Sequence, residues 1–270
     1  MRDYTQANRG VWNAWTDHHT ASDHHADVAT FRASGSSLRG IERDELGNVA
    51  GKSLLHLQCN MGSDTLSWAR LGAHVTGVDI ADAAIARARE LAAETGLDAR
   101  FICSDLYALP AALNEQFDIV FTSYGAVCWM SDLTRWAEVV ARYVRPGGVF
   151  YMVEMHPFAN MLAAADDGTN TDAERFAARY PYFHNMEPVA EDVRATTGDP
   201  EHGTVFAWSY GLGEVITALI AAGLRLEYVH EFPLAHYQRF LALARGERGY
   251  WRWPDARATL PMLFSLRATK

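Results

Sequence analysis

Several short stretches of this chain carry side chains that bind nucleotides or move protons. Gln58, Cys59, Asn60, Met61 and Gly62 place amide side chains and a flexible glycine directly after an apolar run. Asp79 closes a second apolar run, with Ile80 beside it. A carboxylate at the end of a parallel strand is where nucleotide-binding folds meet ribose hydroxyls. Further on come Ser104-Asp105-Leu106, then Ser123-Tyr124-Gly125-Ala126, then Glu154-Met155-His156-Pro157. His156 has the type of side chain that accepts a proton near neutral pH, with a reference pKa near ~6.5, and the Tyr124 hydroxyl is a second candidate for chemistry. Near the N-terminus, Trp12 and Trp15 could cover a bound ligand.

These residues are useful only if secondary structure brings them to one edge. Leu54, Leu55 and Leu57 predict a short buried strand, Gln58 to Gly62 the turn over its carboxyl end, and Asp64 to Leu71 a helix stopped by Gly72. Val75 to Val78 is the next strand, which puts Asp79 at its end. The alternation continues with a helix over 82–95, a strand over Ala99–Cys103 and a strand over Phe117–Thr122. A helix over 131–144 is ended by Arg145-Pro146-Gly147-Gly148, and a strand over Val149–Glu154 leads to His156. After residues 157–207, a helix over Leu212–Ala222, a strand over Leu224–Glu231 and a last strand in LPMLFSLRA complete the pattern.

The turn at 58–62 has one glycine where G-x-G-x-x-G would supply three for a pyrophosphate. It suits a ligand without phosphates, whose amino-acid part can bond amide side chains while Gly62 allows a close approach. S-adenosylmethionine is such a ligand. The stretch 53–80 resembles the first motif of the class I S-adenosylmethionine-dependent methyltransferases, and SDLYALP, FDIVFTSYG and RPGG follow in that family's order. The resemblance covers roughly residues 40 to 156 and the C-terminus. His56, Gln58 and Asn60 stand where most members carry an acidic residue and more glycines.

The resemblance implies an α/β, Rossmann-like fold: a seven-stranded, mostly parallel sheet with helices on both faces, to which the aromatic-rich stretch 1–50 adds an N-terminal helical cap and the broken alternation over 157–207 an insertion after the fifth strand. It also implies S-adenosylmethionine as cofactor. Gln58, Asn60 and Gly62 would lie at its methionine end, Asp79 and Ile80 at the ribose, and Asp105 and Leu106 at the adenine, with Ser123 on the cleft wall and Trp12 above. The alternative for Asp105 is a turn cap. The expected reaction is O- or N-methyl transfer to a small molecule, with His156 and Tyr124 as catalytic candidates. For His156 the alternative is that it and Pro157 shape the start of the insertion, leaving Glu154 or a cap histidine nearer the chemistry.

Residues 1–50 read as the cap and 51–270 as the methyltransferase domain, with 157–207 as a lid-like insertion. Asn8, Trp12 and Trp15 share one side of a helix, either as a satellite packed on the domain or as a lid. HHTASDHH, with His18, His19, Asp23, His24 and His25, reads as a polar loop in preference to a metal site, because its histidines lack ligand spacing. Tyr180, Tyr182, Phe183 and His184 would either line a substrate pocket or tether the insertion.

The chain has 270 residues, 49% hydrophobic, with a formal net charge of -9. That charge argues against a nucleic-acid partner. Cys59, Cys103 and Cys128 form no disulfide framework, and no run suits a membrane span, so the expectation is a cytoplasmic protein, monomer or homodimer. Two rival readings keep the fold: a different reaction on the same cofactor, or a cofactor-binding module without turnover. A nicotinamide-dependent dehydrogenase ranks lowest, because the pyrophosphate turn is missing.

Overall fold

The computed structural model describes residues 4–21, 27–162, 178–194, 203–240, 242–254 and 260–270. The side chains of residues 17–21 lie outside that description. The histidine-rich stretch around His18 to His25 therefore falls outside the described side chains.

Helices α1 (Tyr4–Ala21), α2 (Asp27–Ser34) and α3 (Gly40–Leu46) precede the sheet. Then come β1 (Ser53–Leu57), α4 (Ser63–Arg70), β2 (His74–Asp79), α5 (Asp82–Thr95), β3 (Ala99–Cys103), α6 (Leu109–Ala112) and β4 (Phe117–Ser123). Each follows from local chemistry. β1 has four consecutive buried residues, as a strand covered on both faces requires, and α5 ends at Gly96, whose left-handed φ of 65° forms its C-cap. α7 (Leu133–Tyr143) starts at Asp132, which accepts from the Arg135 amide, and buries Trp136, Val139, Val140 and Tyr143. β5 (Val144–Met155) begins earlier than the sequence predicts, because Val144 already pairs with Phe117 ahead of the bend at Gly147.

α8 (Pro157–Asn160), β6 (Val189–Asp192) and β7 (Thr204–Ala207) belong to the insertion, and β6 and β7 pair antiparallel. α9 (Leu212–Ala221), β8 (Arg225–Phe232), the short β9 (Ala244–Arg245) and β10 (Trp251–Arg252), and β11 (Leu263–Thr269) finish the chain. The sheet order is β3-β2-β1-β4-β5-β11-β8, with β11 antiparallel to both neighbours and the other pairings parallel. The seven-stranded expectation is met. Leu38, Ile41 and Trp68 pack with Leu54, Phe121 and Tyr151 on one face, while Leu109, Trp136, Val140, Val215 and Leu219 cover Leu55, Val120 and Phe150 on the other.

The order reverses between β1 and β4, which opens a crevice at their carboxyl ends. Everything that follows is arranged around it. Between β8 and β11 lies a segment over 233–262 to which the sequence pattern assigns no structure, since it marks only the strands on either side. It carries the β9–β10 pair and returns to α3, where the Tyr250 hydroxyl accepts from the Ile41 amide at 3.0 Å.

The N-terminal helix and the insertion are joined to each other. Buried Asn8 donates from Nδ2 to Phe206 O and accepts from Phe206 N on Oδ1, each at 2.8 Å, so its amide completes the open edge of β7 like a further strand. Tyr4 packs on Phe206 and Trp208. Asn8→Ala would leave a buried N–H and C=O unpaired, and the expected loss is about 2–3 kcal/mol in urea unfolding. A loss below about 0.5 kcal/mol would show that this junction contributes nothing to stability.

Candidate active site

The turn after β1 uses backbone that side chains normally avoid. Gln58, Asn60 and Gly62 have φ of 58°, 49° and 75°. Among the described residues, the non-glycine positions with positive φ are these first two, Tyr124 at 37° and Arg248 at 58°. Three of the four thus lie at the ends of β1 and β4, and such strain gathers where a structure positions a ligand. The turn is pinned to β2: Cys59 N donates to Val78 O at 2.9 Å and Asn60 N to Asp79 Oδ2 at 2.8 Å. Across the crevice, Gln58 Nε2 donates to Ala126 O at 2.7 Å, while its Oε1 is buried and takes no hydrogen bond.

Asp79 Oδ1 accepts from Ala81 N at 2.9 Å. Burial pushes its carboxyl up, against the lowering effect of those backbone bonds. Ile80 lies between them, with its carbonyl 3.6 Å from Cys103 Sγ. Asp105 Oδ1 accepts from Tyr107 N at 2.6 Å and Ala108 N at 3.2 Å, so Asp105 caps its own turn, and Leu106 is buried in the core. Trp12 packs on Met61, Ala81 and Ala84, next to both the first turn and the end of β2. Trp15 and Trp129 meet it edge to face at 4.9 and 5.3 Å. α1 is held there by Arg9 and Asn13, which donate to Asp82 Oδ1 at the start of α5.

Ser123 leads into a chain of buried polar groups. Its Oγ donates to Asp64 Oδ2 and lies beside His56 Nε2, both at 3.3 Å, and His56 Nδ1 is 2.9 Å from Thr65 Oγ1. Burial drives the His56 ring down to about 4 despite Asp64 nearby, so it is neutral at pH 7. Asp64 Oδ1 accepts from Ser37 Oγ at 2.5 Å. Tyr124 has other partners: its hydroxyl donates to Glu42 Oε2 at 2.9 Å and its ring stacks on His236 at 4.7 Å.

His156 sits differently from the base the sequence suggests. Its Nδ1 accepts from Phe158 N at 3.1 Å, capping α8, and Nε2 lies 2.8 Å from Glu231 Oε1 without meeting the direction of a ring N–H bond. Burial lowers its affinity for a proton more than Glu231 raises it. With Nδ1 committed, the neutral ring carries its proton on Nε2 and has no open lone pair. This geometry favours the alternative in which His156 and Pro157 shape the start of the insertion. Glu154, by contrast, faces the loop after β4 and accepts from the amides of Gly125, Ala126, Val127 and Met155. Tyr182 accepts from Leu212 N at the start of α9 and His184 stacks at 4.7 Å on Tyr210 just before it, while Phe183 is exposed.

Sequence reasoning missed Glu42, Asp64, Trp129, His236 and Tyr250. Nothing local in IERDEL marks Glu42 as fully buried. Among the described residues no His, Cys, Asp or Glu group is suited to a metal ion.

A family model for the methyltransferase domain matches residues 54–148. A ubiquinone biosynthesis O-methyltransferase of Methylobacterium sp. (strain 4-46) is 30% identical over 200 residues, which cover 69% of this chain and 79% of that one. The chain belongs to the class I S-adenosylmethionine-dependent methyltransferases. The enzyme of the same description from Pseudomonas entomophila is 33% identical over 157 residues, covering 52% and 67% of the two chains. In fold, the methyltransferase resembles an S-adenosylmethionine-dependent methyltransferase from Mesorhizobium loti, at 22% identity, a TM-score of 0.55 and coverage of 84% and 95%. Another such protein, from Listeria monocytogenes, gives 15% identity, a TM-score of 0.58 and coverage of 84% and 94%. This methyltransferase uses S-adenosylmethionine and acts on a small molecule.

One electrostatic consequence is measurable. Burial first and Asp64 second hold Glu42 up at about 7, from a usual value of 4.5. A carboxyl raised in the fold contributes stability fully below its unfolded value, and that contribution is lost as pH rises through the folded one. Between pH 4.5 and 7 the protein should therefore lose up to about 3 kcal/mol relative to its Glu42→Gln variant. Urea unfolding of both across that range checks the sign, and a difference that is flat with pH would refute it.

Proposed function

We propose that this methyltransferase transfers the methyl group to a hydroxyl oxygen of its small-molecule acceptor. The names of the relatives, O-methyltransferases of ubiquinone biosynthesis, support oxygen over nitrogen. The observation that carries the cofactor side is the strained turn joined to Asp79 across β1 and β2. Its residues fit S-adenosylmethionine: Gln58 Oε1 is a buried acceptor without a donor, which suits an ammonium group. Asn60 and Gly62 would flank it.

Among the described residues, Asp79 is held by backbone amides alone, with no cation paired to it, which leaves its carboxylate able to accept from ribose hydroxyls. Ile80 and Leu106 would enclose the base and Asp105 would meet its amino group, with Ser123 and Trp12 bordering the sulfur end. The cofactor supplies an electrophilic methyl group; the chain's residues orient the acceptor and keep water away. Trp12, Trp15 and Trp129 support a lid role for α1, and the Asn8 junction would make it move with the insertion. In this reading residues 1–50 are a cap on a domain running from 51 to 270.

The net charge of -9 supports a partner list without nucleic acid. Among the described residues no helix is long and apolar enough to cross a membrane. In this reading the protein acts in the cytoplasm, as a monomer or homodimer.

Asp79→Ala should weaken S-adenosylhomocysteine binding by about 2 kcal/mol or more in calorimetry, the scale for removing a charged hydrogen-bond partner. Unchanged affinity in the folded variant would remove Asp79 from the site. Incubation with methyl-labelled S-adenosylmethionine and a panel of phenols, catechols and amines should label oxygen. Label on nitrogen alone would overturn the O-transfer reading.

A further inference from the structure

Glu42 has no solvent-exposed surface, yet it lies on α3, where an apolar residue would face the same core at no electrostatic cost. Its capping role explains only half of its contacts. Oε1 accepts from the Arg39 amide, closing the start of α3, whereas Oε2 accepts from the Tyr124 hydroxyl at 2.9 Å. That hydroxyl is fixed from several directions. Tyr124 follows β4 with a left-handed backbone, its ring lies on His236, and the Arg39 guanidinium is 6.0 Å from the ring centre. Tyr250, from the segment before β11, places its own hydroxyl beside that of Tyr124. A buried carboxylate bonded to a strained tyrosine at the carboxyl end of the strand beyond the switch point has the composition of a proton relay.

We propose that Glu42 draws the proton from the acceptor hydroxyl through Tyr124. The Tyr124 oxygen receives the acceptor's proton while its own proton passes to Glu42 Oε2. The acceptor oxygen forms the new bond to the methyl carbon, the pair of the broken carbon–sulfur bond stays on sulfur, and the displaced proton ends on the Glu42 carboxyl. Once the product has left, the proton returns through the Tyr124 hydroxyl to water, which resets the pair. Tyr124 is thus the catalytic residue and Glu42 the residue that acts through it, a role that rests on the O-transfer reading above.

The surroundings agree with this direction of transfer. Burial, then Glu42 and Tyr250, hold Tyr124 well above its ordinary value, so it does not ionise alone and can act only by passing a proton on. Glu42, at about 7, is poised to receive one near neutral pH. The charged and titratable groups that bear on it are Asp64 on α4, Arg39 at the start of α3, Tyr124 after β4, Tyr151 on β5, and Arg248 and Tyr250 from the segment before β11. Asp27 on α2, itself held up at about 6, is coupled to the same Asp64 and Arg39.

Two measurements test the relay. In the full-length protein loaded with S-adenosylhomocysteine, carbon-13 NMR of labelled glutamate should show one carboxyl titrating near neutral pH. That signal should vanish in Glu42→Gln and shift in Tyr124→Phe. With an acceptor found by the labelled-methyl panel, Glu42→Gln should lower kcat by about 10²-fold and erase the rising limb of the pH–rate profile, with partial rescue by Glu42→Asp and unchanged S-adenosylhomocysteine affinity. A limb that persists in Glu42→Gln with kcat changed only a few-fold would overturn the proposal, as would a carboxyl titration indifferent to Tyr124→Phe. If the panel labels no oxygen, the O-transfer reading fails, while the NMR result still decides whether Glu42 and Tyr124 share a proton.

Discussion

The turn leaving β1 keeps its shape because two glycines let β2, β3 and α5 crowd against it. A Cβ on Gly62 would come within 2.8 Å of the Ala88 Cβ and the Phe101 ring, and one on Gly77 within 2.7 Å of Phe101 and 2.8 Å of Cys59 Sγ. Gly62 also carries a φ of 75°. Close packing at this point is what allows Gln58 and Asn60 to take left-handed conformations, since their cost of about 1–3 kcal/mol each must be offset by surrounding contacts. With the turn held down, Asn60 N reaches Asp79, and α4 starts at a fixed place, carrying Asp64 and Thr65 to Ser123 and His56.

Around this turn, negative charge is held by neutral donors more than by cations. Asp79, Asp105 and Glu154 accept from backbone amides, and Asp64 accepts from the hydroxyls of Ser37 and Ser123. Such partners orient a carboxylate without neutralising it, which leaves it available to a ligand that brings hydroxyls or positive charge. Glu154 shows the structural use of the same device. By gathering the amides of residues 125 to 127 it bends the chain away from β4 and sets the position of Tyr124.

The parts outside the sheet meet over the crevice from separate directions. α1 is fixed at one end by Asn8 on β7 and along its length by Arg9 and Asn13 on α5, while the segment over 233–262 returns Tyr250 to α3. Movement of α1 would alter the surroundings of Trp12, and movement of the segment before β11 those of Tyr124.

The sequence alone determined the alternation of strands and helices, the turn at 58–62 and the place of Asp79. Those depend on runs of apolar residues and on glycine stops within a few positions of each other, and a resemblance of ordered motifs gave the strand order its meaning. Tertiary structure decided the partners. His156 is directed to Phe158 and Glu231 because it follows β5 directly, where its amide donates to Met262 O ahead of β11 and its ring caps α8 beside β8. Glu42 meets Tyr124 across a wide separation in sequence, and Tyr250 joins them from farther still. No local period records such pairings: which side chain closes on which is set by the crossing of α3 over the sheet and the return of the segment before β11, and both exist only once the core has packed.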